Sequence, residues 1–168
     1  MFALNPATWF AAFPPEWAVF FLSMLPITEL RAAVPIGISV YHLSVPVTWI
    51  MAVIGNLVPS FFLLLLLPRL HDWILRQRFI GPVFKKKLED AERYFSGKHA
   101  KYGAIAIVLF VGIPLPMTGA WTGSLAAFIF KIPFKKSFPL IALGVAIAAT
   151  IVMLLTLFAG GAWRALSL

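Results

Sequence analysis

Residues 112–119 read Gly-Ile-Pro-Leu-Pro-Met-Thr-Gly, in the middle of an apolar stretch that runs from Tyr102 to Phe130. Such a stretch is long enough to cross a hydrocarbon core of about 30 Å once and too short to cross it twice. Two prolines and two glycines break a helix at this point. The sequence therefore predicts two short helical arms, 104–113 and 120–130, each about 15 Å long and spanning about half of the core.

Basic residues flank this apolar stretch on both sides. Segment 69–101 carries nine Lys or Arg against four Asp or Glu, and Lys131, Lys135 and Lys136 follow the second arm. Clusters of Lys and Arg beside membrane segments are typical of cytoplasmic loops. We therefore expect 69–101 and 131–136 to be cytoplasmic, so that the two arms form a re-entrant hairpin, 104–130, which enters from the cytoplasm and returns to it.

The composition supports a membrane environment for the whole chain. Of 168 residues, 61% are apolar and only 12% are charged, with a mean hydropathy of +0.94. A soluble domain is about half apolar and about a quarter charged, so an ordinary soluble enzyme or a disordered regulator is excluded. The chain has no cysteine, which excludes a disulfide scaffold and thiol or Cys-zinc chemistry. Residues 1–168 are predicted to form a single multi-pass membrane domain.

The first third of the chain predicts a similar arrangement. A short apolar arm, Glu16–Leu25, precedes the break at 26–28, and a return arm over 29–43 is expected to be interrupted by Pro35 and Gly37. Together these form a predicted hairpin over 16–43. A stretch long enough for one membrane crossing follows each hairpin, at 46–67 and at 137–158.

The two halves also match in local sequence, which indicates an internal repeat. Leu-Pro-Ile-Thr at 25–28 corresponds to Leu-Pro-Met-Thr at 115–118, and Val-Pro-Val at 45–47 to Ile-Pro-Phe at 132–134. If the two spans run in opposite directions, repeats 13–67 and 102–160 have inverted topology and their breaks meet near the midplane. The predicted fold class is an all-α polytopic membrane protein with two such repeats, joined by the linker 69–101.

The linker itself predicts a surface helix. Phe84, Leu88, Ala91 and Phe95 recur at helical spacing, with charges on the other faces. Such a helix lies on the cytoplasmic membrane surface and contacts anionic lipids, which we favour over nucleic-acid binding. The first basic residue is Arg31, so no signal peptide is predicted, and both termini are expected outside an inner (plasma) membrane.

Glu29 and Arg31 are the charged residues that lie well inside an apolar segment, where ionisable side chains are costly and usually functional. Two residues apart on a helix, they are expected on different faces, without neutralising each other locally. Burial disfavours a charged carboxylate, so Glu29 is a candidate for proton uptake and release. The alternative is a structural Glu-Arg bridge that holds the two hairpins together.

Hydroxyl residues at the two breaks are candidate helix caps. Thr28 and Thr118 are predicted N-caps of the returning arms, whose N-termini together with Arg31 favour a phosphate or carboxylate. Trp121 and Thr122 are expected to line a cavity, and Asn56 to hydrogen-bond a hairpin. The predicted backbone-shaping residues are Pro26, Pro35, Gly112, Pro114, Pro116, Gly119 and Gly123. His42, His71 and His99 lack metal-ligand spacing, and no catalytic motif is found, so neither a metal, a cofactor nor an enzyme is predicted.

The segments 25–37 and 112–123 closely resemble the small multidrug export protein family, and the resemblance covers about Pro26 to Leu157. That family is similar to the DedA (VTT-domain) membrane proteins, which have two facing re-entrant hairpins. The resemblance implies transport or flipping of polyprenyl-phosphate carrier lipids driven by the proton motive force, or phospholipid scrambling as in eukaryotic relatives. It implies a role for Glu29, as the acidic residue of the first hairpin, and for Arg31. Residues 114–122 depart from the DedA pattern because they contain no arginine.

The resulting hypothesis is a proton-linked secondary transporter or flippase for an amphiphilic anion such as a lipid phosphate. The half-helix N-termini and Arg31 favour an anion. Two alternatives remain: a proton antiporter that exports cationic amphiphiles, which Glu29 alone would suit, and a non-transporting membrane assembly factor. A homodimer is expected because 168 residues enclose little cavity.

Overall fold

The computed structural model describes residues 6–10, 12–76, 103–114 and 119–166. All regular secondary structure in this part of the chain is helical. The helices, in chain order, are α1 (Pro6–Trp9), α2 (Pro15–Met24), α3 (Glu29–Ser39), α4 (Val45–Arg76), α5 (Gly103–Gly112), α6 (Ala120–Ile129) and α7 (Phe134–Leu166). The all-α prediction is confirmed for these residues.

The two long helices, α4 and α7, account for the predicted spans. Their apolar parts, Val45–Arg69 and Phe134–Gly160, are long and apolar enough to cross a membrane. The helices themselves extend further than the predicted 46–67 and 137–158, since α4 continues to Arg76 and α7 to Leu166. Both helices therefore have the length and composition of membrane spans, which is consistent with a helical membrane protein.

Apart from α1, which has four residues, the shorter helices α2, α3, α5 and α6 fall where the arms were predicted. Each has 10 or 11 residues, a length of about 15 Å. Helix α2 packs against α3, and α5 packs against α6, so each pair forms a helical hairpin. The predicted amphipathic helix around 84–95 lies outside the described residues.

One expectation about the first hairpin is wrong. Helix α3 is continuous over Glu29–Ser39, although Pro35 and Gly37 were expected to interrupt it. A proline inside a helix removes a single backbone hydrogen bond, here the one to the carbonyl of Arg31, and neighbouring helices can hold the rest in place. Gly37 lies against a neighbour instead of breaking the helix, since a Cβ there would approach Thr48 Cγ2 to 2.6 Å.

The chain divides into two compact units. Unit 1 comprises residues 1–58 and 145–168, and unit 2 comprises residues 59–144. Unit 1 therefore holds α1, the α2–α3 hairpin, the first part of α4 and the last part of α7. Unit 2 holds the rest of α4, the α5–α6 hairpin and the start of α7.

In unit 1, α2 lies very close to α4. The Ser23 hydroxyl donates a hydrogen bond to the carbonyl of Ala52, with an Oγ–O distance of 2.7 Å. One turn further along α4, a Cβ on Gly55 would overlap the carbonyl oxygen of Phe20 and lie 2.5 Å from Ser23 Oγ. Small residues at such a contact let two backbones approach closely. The absence of a side chain at Gly55 therefore sets the distance between the hairpin and the long helix.

Unit 2 has a corresponding contact between α5 and α7. A Cβ on Gly144 would lie 2.8 Å from Val111 Cβ and 3.1 Å from the carbonyl oxygen of Val108. Gly123 of α6 faces the other side of Val111, whose Cγ2 fills the space that a Cβ would take. In unit 2 also, the first helix of the hairpin packs against a glycine of the long helix.

The buried faces of α4 and α7 correspond position by position when both helices are counted from their first residues. Seven buried positions of α4 have a buried counterpart 89 residues later in α7. The first and last of these pairs are Thr48 with Ser137 and Leu64 with Met153. The full set in α4 is 48, 52, 55, 56, 59, 60 and 64, and in α7 it is 137, 141, 144, 145, 148, 149 and 153. Both long helices therefore bury the same helical face.

Candidate functional site

The turn of the first hairpin is built around Pro26. A residue before proline is pushed into an extended conformation, and Leu25 adopts φ −76° and ψ 137°, which ends α2 at Met24. The chain reverses at once, because the N–H of Glu29 donates to the carbonyl of Leu25 at 2.9 Å. Glu29 is thereby held directly beside the end of α2.

Thr28 occupies the N-cap position of α3 but does not cap it with its side chain. Its hydroxyl donates to the carbonyl of Leu22, near the end of α2. The backbone of Thr28 is right-handed helical, with φ −88° and ψ −48°, whereas a capping side chain normally comes from an extended residue. The predicted side-chain cap is therefore wrong, and Thr28 ties the turn to the preceding helix.

Glu29 has an unusual backbone conformation. Its φ is 45°, in the left-handed region, which non-glycine residues rarely occupy and which stores strain that the surroundings must compensate. The residue is also buried, with 6% of its surface exposed. Among the described residues, this strained, buried and ionisable residue at a break between two apolar helices is the feature that most resembles a functional site.

Glu29 and Arg31 contact each other, contrary to the sequence-based expectation. Arg31 Nη1 lies 3.5 Å from Glu29 Oε2. The expectation assumed regular helical geometry, and the left-handed Glu29 does not have it. Both residues belong to α3, so this contact is local to one hairpin. The side chain of Arg31 is 25% exposed and that of Glu29 only 7%, so the guanidinium is the more accessible partner.

The turn of the second hairpin is described only in part. Leu115 to Thr118 lie outside the described residues, so the predicted roles of Pro116 and Thr118 at this turn are not seen. Helix α6 has Gly119 at its N-cap position, where the prediction had Thr118. Thr122 Oγ1 accepts a hydrogen bond from the N–H of Gly119 at 2.9 Å and is 3.2 Å from its carbonyl oxygen. Thr122 thus stabilises the helix start from inside the helix.

The remaining predicted residues have mixed outcomes. Trp121 and Thr122 are half-buried, and Asn56 is fully buried in α4. Pro26 and Gly112 lie at helix ends, as expected of residues that shape turns. Gly123 packs inside α6 and does not shape a turn. Within the described residues, no group of three or more His, Asp or Glu could hold a metal ion.

Lys131 is a further left-handed residue of interest that was not predicted from the sequence. It follows α6 with φ 51°, and the N–H groups of Lys131 and Ile132 donate to the carbonyls of Phe128 and Ala127 at 3.0 and 2.9 Å. This pair of bonds is a Schellman motif, a helix ending that normally has glycine at this position. A lysine gives no signal for it, and only Pro133 two residues later hints at a helix end.

Comparison with known proteins identifies the family. A family model described as "Putative small multi-drug export protein" matches residues 29–151. The chain belongs to this family. The match begins at Glu29, directly after the first hairpin turn, and includes residues 112–119, the span Val45–Arg69 and the first part of the span Phe134–Gly160. No curated protein and no solved structure matches the chain. The resemblance seen in the sequence is confirmed for this family, and the relation to DedA proteins stays a prediction.

Proposed function

We propose that this member of the family is a proton-linked secondary transporter of amphiphilic anions, with the Glu29–Arg31 pair as its site. The observation that carries the proposal is the buried Glu29 beside the more accessible Arg31, at a strained break between two apolar helices. A charge pair is costly in such surroundings, and membrane proteins retain intramembrane charges mainly for function.

Counting charges favours an anion that moves together with a proton. The empty site is neutral because the carboxylate balances the guanidinium. When a proton binds Glu29, Arg31 loses its counter-ion and is available to an anionic group, so the loaded site is neutral again. A single unbalanced charge at membrane depth costs free energy. The transporter therefore changes conformation most easily when its site is neutral, either empty or loaded with both the proton and the anion. The site therefore couples one proton to one negative charge in the same direction.

A cation fits this site less well. A cationic drug beside the intact pair would leave a net positive charge, and Arg31 would repel it. The family description favours drug export, and for that reason a cationic amphiphile is the second candidate. An anionic amphiphile such as a polyprenyl phosphate or a phospholipid satisfies Arg31 directly.

The proposal includes a membrane arrangement for the hairpins. Helices of about 15 Å cannot cross a core of about 30 Å, so we infer that both hairpins are re-entrant. The matching buried positions of α4 and α7 support a repeat of hairpin and span. In unit 2, Phe61 of α4 meets both Phe134 and Phe138 of α7, and Leu64 and Pro68 line a cavity with Phe134. The end of one span therefore meets the start of the other, as two inverted repeats require.

The test is transport by purified protein in liposomes with an imposed pH gradient. A fluorescent short-chain polyprenyl phosphate and a fluorescent cationic dye are followed side by side. We expect flux of the phosphate that increases with the pH gradient in the wild type. Glu29→Gln should lose the dependence on the gradient, because an amide cannot exchange a proton.

A matched control is Glu16→Gln, which removes the carboxylate of the first turn of α2 and should leave flux unchanged. Both variants are compared with the wild type by circular dichroism and size-exclusion chromatography. If the cationic dye is transported and the phosphate is not, the substrate is a cation and the proposed anionic substrate is wrong. Absence of flux for both substrates with folded protein would refute transport by this site and leave the ion pair as a structural element.

A further inference from the structure

Unit 2 contains a half-open cavity where the end of α4 meets the connection between α6 and α7. Its volume is about 270 Å³. It is separate from the Glu29–Arg31 pair, which belongs to unit 1. The residues that line it are Leu64, Pro68, Phe128, Lys131, Ile132, Pro133 and Phe134.

The lining of this cavity suits an apolar group. Six of its seven residues are apolar, and Lys131 is the exception. One wall is held by an aromatic cluster, in which Phe134 and Phe138 are stacked at 5.4 Å and Phe61 lies edge-on to both. The volume is just below the roughly 300–1,000 Å³ of small-molecule sites. It fits part of an amphiphile, such as a glycerol backbone with the first methylenes of an acyl chain.

The rim of the cavity is strongly positive. Lys131 lines it, and Lys135 and Lys136 follow in the first turn of α7. That turn has no acidic residue, although the N-terminal end of a helix already carries partial positive charge. Arg69 follows the lining residue Pro68 and is exposed. Arg69, Lys131, Lys135 and Lys136 thus bring four cationic side chains to this part of unit 2.

The connection that carries Lys131 has a defined backbone. The Schellman bonds fix the end of α6, and Pro133 restricts the entry into α7. Lys131 itself is left-handed, with φ 51°, a conformation that non-glycine residues rarely adopt. An ordered connection presents its lysine and its apolar residues together without first paying to order them.

We propose that this cavity binds an anionic phospholipid at the membrane surface. The glycerol and the first methylenes occupy the apolar cavity, and the lipid phosphate lies among the lysines at its rim. Basic pockets between membrane helices bind anionic head groups for this reason. The two described spans end and begin beside this cavity, at Arg69 and Phe134. Since membrane spans end where the hydrocarbon core meets the head groups, we infer that the cavity lies at that level. The site is independent of the transport activity proposed above.

The experiment uses the full-length protein in a neutral detergent, with binding of dioleoyl phosphatidylglycerol followed by native mass spectrometry. Dioleoyl phosphatidylcholine and inorganic phosphate are measured in parallel. We expect phosphatidylglycerol to bind the wild type and the other two probes to bind at least tenfold more weakly. Each lysine removed should weaken binding about fivefold, so Lys131→Gln with Lys135→Gln should weaken it about 25-fold.

Two variants separate charge from cavity. Lys131→Arg with Lys135→Arg keeps both charges and should retain binding, which controls for the substitutions themselves. Leu64→Phe keeps every charge but adds volume to the cavity wall, and it should weaken binding of the diacyl lipid. Circular dichroism and elution volume verify that each variant is folded.

Several outcomes would overturn the proposal. Equal binding by the wild type and the double Gln variant would show that these lysines do not contribute to the site. Equal binding by Leu64→Phe would show that the lipid is held by surface charge alone. Binding of inorganic phosphate as tight as that of the lipid would make the ligand a free anion. A dimer that buries this face and excludes lipid would assign it to a second copy of the chain.

Discussion

The two units bury matching helical faces and place their charges differently. Each packs a short helical hairpin on a glycine of a long helix, at Gly55 in unit 1 and at Gly144 in unit 2. Unit 1 holds an acid and a base together at the break in its hairpin. In unit 2 the charged side chains that the structure describes are cations, and they lie near the ends of its spans.

This contrast distinguishes the residues that pack the helices together from the charged residues of the candidate site. Small buried residues recur in both units at equivalent positions, as packing between helices in a membrane requires. The Glu29–Arg31 pair has no counterpart among the described residues of unit 2. We infer that packing is common to both halves of the protein, whereas chemistry within the apolar layer belongs to unit 1.

The largest effect is expected from breaking the ion pair. Glu29→Gln and Arg31→Met should each lower the free energy of unfolding by about 3 kcal/mol, because each leaves a partly buried charge without its partner. The double variant should lose much less than the sum. The measurement is reversible unfolding in mixed detergent and SDS micelles.

Unit 2 supplies the matched control for this cycle. Lys135→Met removes an exposed charge and should change the free energy of unfolding by less than about 0.5 kcal/mol. Additive losses at Glu29 and Arg31 would contradict a coupled pair. A large loss at Lys135 would contradict the different placement of charge in the two units.

A somewhat smaller effect is expected from closing the space at the two glycines. Gly55→Ala should cost about 2–3 kcal/mol, because the new methyl group meets the backbone carbonyl of Phe20. Gly144→Ala should cost about 1–2 kcal/mol, since its nearest neighbour is the side chain of Val111, which can shift slightly. Thermal unfolding followed by size-exclusion chromatography ranks the variants.

Gly160→Ala is the control for helix propensity, because a Cβ there meets nothing within 4 Å. It should be neutral or slightly stabilising. If Gly55→Ala were equally neutral, the close approach of α2 to α4 would be wrong.

The smallest effect concerns the left-handed residues that end the two hairpins. His42 and Lys131, with φ of 52° and 51°, are 89 residues apart. Replacing either by glycine should raise the free energy of unfolding by about 1 kcal/mol, because glycine adopts this conformation without steric cost. Chemical unfolding of the single variants measures it.

Val40→Gly tests the same change at a right-handed residue, with φ −103°, and should destabilise by about 0.5–1 kcal/mol. Stabilisation at only one of His42 and Lys131 would show that the two connections differ in strain despite their equivalent positions.

Much of the fold was predictable because it depends on length and helix breakers. The arms 104–113 and 120–130 were predicted within one residue of α5 and α6, since glycine and proline mark helix ends. The same reasoning was wrong at Pro35, which was expected to interrupt the return arm. Helix α3 continues through it because the helix tolerates one missing hydrogen bond. The predicted spans agree with the apolar parts of α4 and α7 to within three residues. The helices themselves continue to Arg76 and Leu166, which hydropathy does not report.

The site was predictable in its residues and not in its geometry. The cost of charge in an apolar segment singles out Glu29 and Arg31 from sequence alone. Their contact depends on the left-handed backbone of Glu29, which no local pattern reveals. The cavity beside Lys131 was also missed, because it joins residues of α4 to a connection more than 60 positions later in the sequence.

The division into units bears on whether the coding sequence can be divided into two fragments that fold separately. Residues 1–76 contain most of unit 1 and the first part of unit 2, and residues 103–168 contain the last part of each unit. Neither half of the coding sequence therefore encodes a complete unit. Two fragments separated between residues 77 and 102 would each expose an incomplete packing surface, and we expect co-expression to restore both units together. The topology therefore predicts that the two fragments complement each other.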